Sequence, residues 1–221
     1  MVPIGAAVRL VTATPNALYC DTDQVLTTAA CNLLLAHGIR GVWRYLSALT
    51  PAEVALILAS GLELYFVNFA HDPGWQASTA GGVADAKRDL VCLGKLGIPI
   101  GVHVAFDCEG PAAGIPALDN HLASYANNVA QSKYLPAIYV GQGALLSSAQ
   151  LYSLPFVLYW ASCSRLVDAA SVAQVPWCGY SIFQGRPFDV TLDDGAGTKV
   201  TIDYDSVIQD FNGRLPIGVA A

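Results

Sequence analysis

The stretch Leu96-Gly97-Ile98-Pro99-Ile100-Gly101-Val102-His103-Val104-Ala105-Phe106-Asp107-Cys108-Glu109-Gly110 decides the fold class. Before it, Val83, Ala86, Leu90 and Leu93 recur at helical spacing, with Asp85, Lys87, Arg88 and Asp89 mostly off that face. The spacing predicts a helix over 81–96. Gly97 then stands where a helix ends, because glycine takes the left-handed conformation without a Cβ penalty. An almost wholly apolar run follows, as expected of a strand buried on both faces. It ends on two acids with a single residue between them.

The same junction recurs upstream. His37-Gly38-Ile39 leads into Val42-Trp43-Arg44-Tyr45, and Ser60-Gly61-Leu62 leads into Leu64-Tyr65-Phe66-Val67. Residues 24–37 carry helical periodicity. Thr50-Pro51-Ala52-Glu53 reads as a capping box with proline at the first helical position. A fourth helix is expected over 118–132, and further strands over 17–21, 135–140, 155–161, 177–184 and 198–204. Asp193-Asp194-Gly195-Ala196-Gly197 reads as a hairpin turn, and a short helix is expected to end at Gly213. Alternating strands and helices imply parallel strands with crossover helices. The strand count is eight, so the simplest closure is a single-domain (β/α)8 TIM-type barrel over 1–221, irregular in its second half where helices are short.

Composition agrees. Of 221 residues, 54% are hydrophobic and 13% charged, which excludes disorder. No unbroken apolar run is long enough to predict a membrane span. The net charge is −6 and the cations are scattered, so a nucleic-acid groove is not expected. Cys20, Cys31, Cys92, Cys108, Cys163 and Cys178 form no zinc-like spacing and read as reduced structural thiols. The opening MVPIGAAVRL lacks the pattern of a signal peptide, so action outside the producing cell would need another delivery route or a place in a virion.

In such barrels the site lies at the C-terminal ends of the strands. Three predicted strands end in acids: Asp21 with Asp23, Asp107 with Glu109, and Asp203 with Asp205. Strand alternation turns Asp107 and Glu109 one way and Cys108 the other, and likewise separates Cys20 from Asp21. Paired carboxylates suit glycoside hydrolysis, which needs one protonated donor and one ionised partner. Mutual repulsion and burial can separate their pKa values. Aromatics on the strands, Tyr139 and Trp160 above all, are candidates for stacking on sugar faces. Arg44, a charge within a strand, requires a carboxylate partner if buried, with Asp21 or an acid of the fourth strand as candidates. His103 is expected inside the barrel, satisfied by hydrogen bonds. No cofactor motif and no metal site is apparent.

These strand ends, in this order, resemble the family 25 glycoside hydrolases, lysozyme-type muramidases on a βα barrel. The resemblance is closer to their sister group, the glycoside-hydrolase-like domains of bacteria and phages. It is carried by Tyr19 to Gln24 (YCDTDQ), Gly41 to Leu46 (GVWRYL), Leu49 to Val54 (LTPAEV), the Asp-x-Glu of Asp107 and Glu109, Pro136 to Val140 (PAIYV), Leu158 to Ala161 (LYWA) and Thr201 to Asp205 (TIDYD). The resemblance implies Glu109 as catalytic acid, with Asp107, Asp21 and Asp203 as companion acids. It implies substrate contacts at Tyr139 and Trp160; Arg44, Tyr45 and Asp205 complete the expected substrate-binding set. Strand two is Arg-Tyr, as in the sister group, and the last strand has Asp205 where family 25 usually has asparagine. The implied partner is bacterial cell-wall glycan, cleaved as by an endolysin. Two rivals stand beside it: a non-catalytic glycan-binding or virion structural barrel, and a metal-dependent hydrolase using the same acids.

Overall fold

The computed structural model describes residues 8–68, 70–112 and 114–221. The first seven residues, which carry most of the segment read for a leader, lie outside them. The order is β1 (Arg9–Thr12), β2 (Leu18–Thr22), α1 (Thr28–Ala36), β3 (Ile39–Tyr45), α2 (Pro51–Ser60), β4 (Glu63–Val67), α3 (Thr79–Leu96), β5 (His103–Cys108), α4 (Ile115–Gln131) and β6 (Leu135–Val140). Then follow α5 (Ser148–Ser153), β7 (Leu158–Ala161), α6 (Ser164–Val167), β8 (Ile182–Gln184), β9 (Val190–Asp193), β10 (Lys199–Val207) and β11 (Ile217–Ala220).

Local chemistry places the helix ends as expected. Thr27, Thr50 and Ser78 each cap a helix by accepting a backbone N–H, and Gly61 and Gly97 end α2 and α3 at φ 93° and 72°. Strands β2 to β8 pair in parallel in chain order, and β10 closes the ring between β8 and β2. The result is a closed eight-strand barrel with helices outside. Leu34, Ile57, Leu93 and Leu122 are among the side chains that seal the helix layer against the outward residues of the strands. Trp43, Tyr65, Trp160, Ala105, Ala137 and Ile182 fill the ring itself.

Several expectations are corrected. The eighth barrel strand, β10, runs antiparallel to both neighbours. After β8 the chain makes the β9–β10 hairpin in place of a crossover helix, and a hairpin returns the strand in the opposite sense. The strand expected over 177–184 is confined to Ile182–Gln184. The expected helix before Gly213 is absent. The chain turns there and continues into β11, which pairs antiparallel with β4 at Val219 and Leu64. Strands β4 and β5 pair directly only at Phe66–Val104 and Val67–Ala105, so β11 occupies the opening beneath them. His103, facing inward as expected, accepts the Ile217 N–H at 2.8 Å there.

The barrel floor carries a polar cluster the sequence did not announce. Glu63 accepts the hydroxyls of Tyr19 and Tyr65 at 3.0 and 2.7 Å and pairs with Arg40 at 2.8 Å. Among the described residues no helix is long and apolar enough to cross a membrane.

Candidate active site

The parallel strands point their C-terminal ends at one mouth. Alternation turns Asp21, Tyr45, Asp107, Tyr139 and Gln184 inward at that end. Asp203 reaches the same level from the opposite direction, paired in register with Asp21 across β10 and β2. Asp205 lies one inward position deeper, level with Gln184 and Tyr19, and is fully buried.

Gln184 ties the acids of this side together. Its amide nitrogen donates to Asp21 Oδ2 and Asp203 Oδ2, each at 3.0 Å. Its amide oxygen accepts the Cys163 N–H at 3.2 Å and lies 2.9 Å from the Tyr139 hydroxyl, which is also 2.8 Å from Ser162 Oγ. The Asp189 N–H donates to Asp203 Oδ1 at 2.6 Å. Burial pushes the Asp203 carboxyl up. Burial first, then the neighbouring carboxylate charges, raises both Asp21 and Asp205. The pair therefore retains a proton well above the ordinary carboxylate range.

Across the mouth, Asp107 is buried and its backbone N–H donates to Asn68 Oδ1 at 2.9 Å. Burial, then the charge of Glu109, pushes the Asp107 carboxyl up to about 7, against a hydrogen bond from Tyr45 that lowers it. Glu109 is one step past the end of β5 and exposed. Its side chain lies across Gly141, where an added Cβ would sit 2.8 Å from Glu109 Cβ, and Oε1 accepts the Gln142 N–H at 3.3 Å. Glycine at 141 is what lets the acid fold over the end of β6. A cleft of about 370 Å³ opens over the Asp21 side, lined among others by Asp23, Tyr45, Asp189, Thr201 and Asp203.

The structure thus brings Asp21, Asp107, Glu109, Asp203, Tyr45 and Tyr139 to the mouth, and corrects Asp205, which lies beneath them with no surface open to substrate. It removes Arg44, which points outward between the barrel and α2, has no exposed surface, and pairs with Glu53 at 3.0 Å. Arg44 also donates to the Thr22 carbonyl, and Glu53 accepts the Leu26 N–H at 3.0 Å. Glu53 is therefore the core partner of Arg44, while Thr50 alone caps α2. Trp160 faces inward as expected but is only 2% exposed. It packs against Trp43 and Tyr139, each at 5.0 Å between centroids, so it supports the acids from below and presents no face to a sugar. Cys20 and Cys108 face the helix layer, as alternation required.

Gln184, Asn68 and Ser162 carry neither charge nor ring, and Asp189 contributes its backbone N–H, so none of the four stands out in the sequence by side-chain type. Gln184 is the polar end of the apolar Ile182-Phe183-Gln184, and Asn68 directly follows Leu64 to Val67, so strand-end position was the available signal.

A second cluster lies beside the mouth. His71 Nε2 and His121 Nε2 lie 2.8 and 3.2 Å from Asp85 Oδ2, and the three ligand-type atoms fall within 4.8 Å of one another. A metal there would need a lone pair on His121 Nε2. The Ser78 N–H donates to His121 Nδ1 at 3.3 Å, which assigns the ring proton to Nε2, facing the carboxylate. Arg88 holds the other Asp85 oxygen at 3.1 Å. These partners fit a charge-assisted hydrogen-bond array better than a coordination sphere. Burial of Asp85 acts upward, but the hydrogen bonds from His121 and His71, with the charges of His71 and Arg88, hold its carboxyl well below the usual range.

The backbone path has relatives. An uncharacterised protein of B. stearothermophilus superposes with a TM-score of 0.67 at 17% identity, over 90% of this chain and 99% of that one. A family 25 glycosyl hydrolase from Bacillus anthracis superposes at 0.54 with 10% identity, over 86% and 88% of the two chains. The modular autolysin LytC from Streptococcus pneumoniae, solved in complex with a synthetic peptidoglycan ligand, superposes at 0.52 with 11% identity, over 86% and 46%. At these identities the likeness is one of fold. No curated protein matches the sequence. A family model for the Rv2525c-like, glycoside hydrolase-like domain matches residues 32–207, from within α1 to the end of β10, and the chain belongs to that family.

Proposed function

We propose that this protein is a peptidoglycan-degrading glycoside hydrolase of the muramidase type. The observation that carries the reading is Asp107 buried at the end of β5, with Glu109 two residues on at the rim. This places one sheltered and one accessible carboxyl at the same strand end, opposite the Asp21–Asp203–Asp205 group. Supporting it are the family of the chain and the fold it shares with a family 25 glycosyl hydrolase.

In this reading Glu109 donates the proton to the leaving glycosidic oxygen. Its exposure at the rim suits contact with a polymer, and a seated sugar would itself exclude water from the carboxyl. Asp107 stabilises positive charge at the anomeric carbon or, protonated, holds the substrate's N-acetyl carbonyl. Asp21 and Asp203, joined through Gln184, bind hydroxyls on the far side, with the buried Asp205 beneath them, and Tyr45 offers a half-buried ring in the cleft. Delivery to the wall after release from the producing cell, as for an endolysin, belongs to the same proposal.

A second reading, glycan binding without turnover, is favoured by one observation. The proton donor of a glycosidase is ordinarily sheltered, and here Glu109 stands in solvent. Purified wild type and Glu109→Gln, each incubated with purified peptidoglycan and assayed for new reducing ends, separate the two. Release by wild type alone supports the hydrolase and its acid. Release by both moves the acid elsewhere. Binding by folded wild type without release supports the second reading.

A further inference from the structure

The loop between β4 and α3 is stitched to the segment that carries Glu109. The Trp75 indole N–H donates to the Glu109 carbonyl oxygen at 2.7 Å. The Gly74 N–H donates to the Gly110 carbonyl at 2.7 Å, and the Ala112 N–H to the Trp75 carbonyl at 2.9 Å. Trp75 and Pro111 form a parallel bridge. Past β5 the Glu109 segment is thus held on one side by this loop and on the other by the Gly110 N–H bond to Gln142, at 2.7 Å.

The Trp75 ring is set in turn by the histidine cluster. It stacks on His71 at 4.5 Å with an interplanar angle of 18°, and packs against His121 at 4.9 Å and Phe106 at 6.0 Å. Asp85 anchors both histidines and is itself held by Arg88. A continuous path therefore runs from α3 through Asp85, His71 and Trp75 to the main chain of Glu109. A ring that only filled space would need no directed N–H. Here the donor ends on the carbonyl of the residue whose side chain projects over the mouth.

We propose that Trp75, locked by the Asp85–His71–His121 array, is the positioning residue for Glu109. The inference rests on the reading of Glu109 as the proton donor. Fixing the carbonyl fixes the peptide plane, and with it the direction in which the Glu109 side chain leaves the chain. Angström-scale misplacement of a reacting group costs about 100-fold in rate.

The test is Trp75→Phe, which keeps a ring and removes the N–H, with Asp85→Asn as a second variant. Three quantities are read: kcat and KM on solubilised peptidoglycan, Tm, and amide exchange of Gly74, Gly110 and Ala112. The expected result for Trp75→Phe is a kcat lower by about 10- to 100-fold, with KM within about twofold and Tm lower by no more than about 4 °C. The three amides should exchange faster, and Asp85→Asn should move every quantity the same way by less. Unchanged kcat in an active enzyme overturns the proposal, whatever the exchange shows. A large fall in Tm with kcat per folded molecule retained overturns it too, because Trp75 then only packs. If wild type cleaves no glycan, the hydrolase reading fails by itself, and exchange still decides: faster amides sustain Trp75 as the lock on this segment, and unchanged amides overturn it.

Discussion

Asp205 is the acid with the most to lose by being ionised. It has no exposed surface, and Asp21 and Asp203 flank it with like charge. Asp107, buried beside the charge of Glu109, is pushed up to about 7. Both groups ionise near pH 4 in the unfolded chain, so their stabilising contribution is complete below about pH 4. It is lost as pH rises through the folded value, which for Asp107 sets a window from about 4 to about 7. Asp107→Asn should therefore raise the unfolding free energy at pH 8 by about 1–4 kcal/mol and leave it nearly unchanged at pH 4. Urea midpoints at the two pH values check this, and an equal gain at both would contradict it. Asp205→Asn should shift in the same direction. Much of this was legible from residue type and position, since acids closing apolar runs are acids at a barrel mouth. Trp160 was placed on the correct face but at the wrong depth, because period-two alternation gives the side of a strand and says nothing of what stands above it.

At the scale of elements, Arg44 and Glu53 join β3 to α2 through a buried pair. Removing one partner leaves a buried charge, so Glu53→Ala should cost about 3–5 kcal/mol. Replacing both with apolar residues, Arg44→Met with Glu53→Leu, should come close to neutral. Urea denaturation of the two variants makes the comparison. The pattern Thr-Pro-Ala-Glu hid this role, because the same letters spell a capping box, and only the packing of α2 decides where the glutamate turns. The Gly-terminated helices and the parallel strands up to β8 were readable for the opposite reason: their signals lie within a few residues. The sense of β10 was not readable. It depends on the missing crossover helix, and the hairpin turn at Asp193 to Gly197 was recognised without its consequence for strand direction.

At the scale of the whole molecule the barrel has a chemical floor as well as a mouth. Burial holds the His103 imidazole down to about 4, where it accepts the N–H of Ile217 and so receives β11. In the unfolded chain it takes a proton near pH 6.5. The stability it contributes is complete above about 6.5 and is lost as pH falls toward 4, by up to about 3 kcal/mol. Because Asp107 gains stability over the same window, the His103 contribution is read as a difference: between about pH 6.5 and 4 the Tm of His103→Gln, which keeps an acceptor for Ile217, should rise relative to wild type as pH falls. Melts that fall equally in both would place the acid sensitivity elsewhere. The same floor orients the molecule. Strand β1 lies along β11, with Arg9 opposite Ala220, so the two ends of the described chain sit side by side beneath the ring. The barrel is in effect a cup on a foot: both ends of the described chain lie on the side away from the rim, and the acids open in the opposite direction.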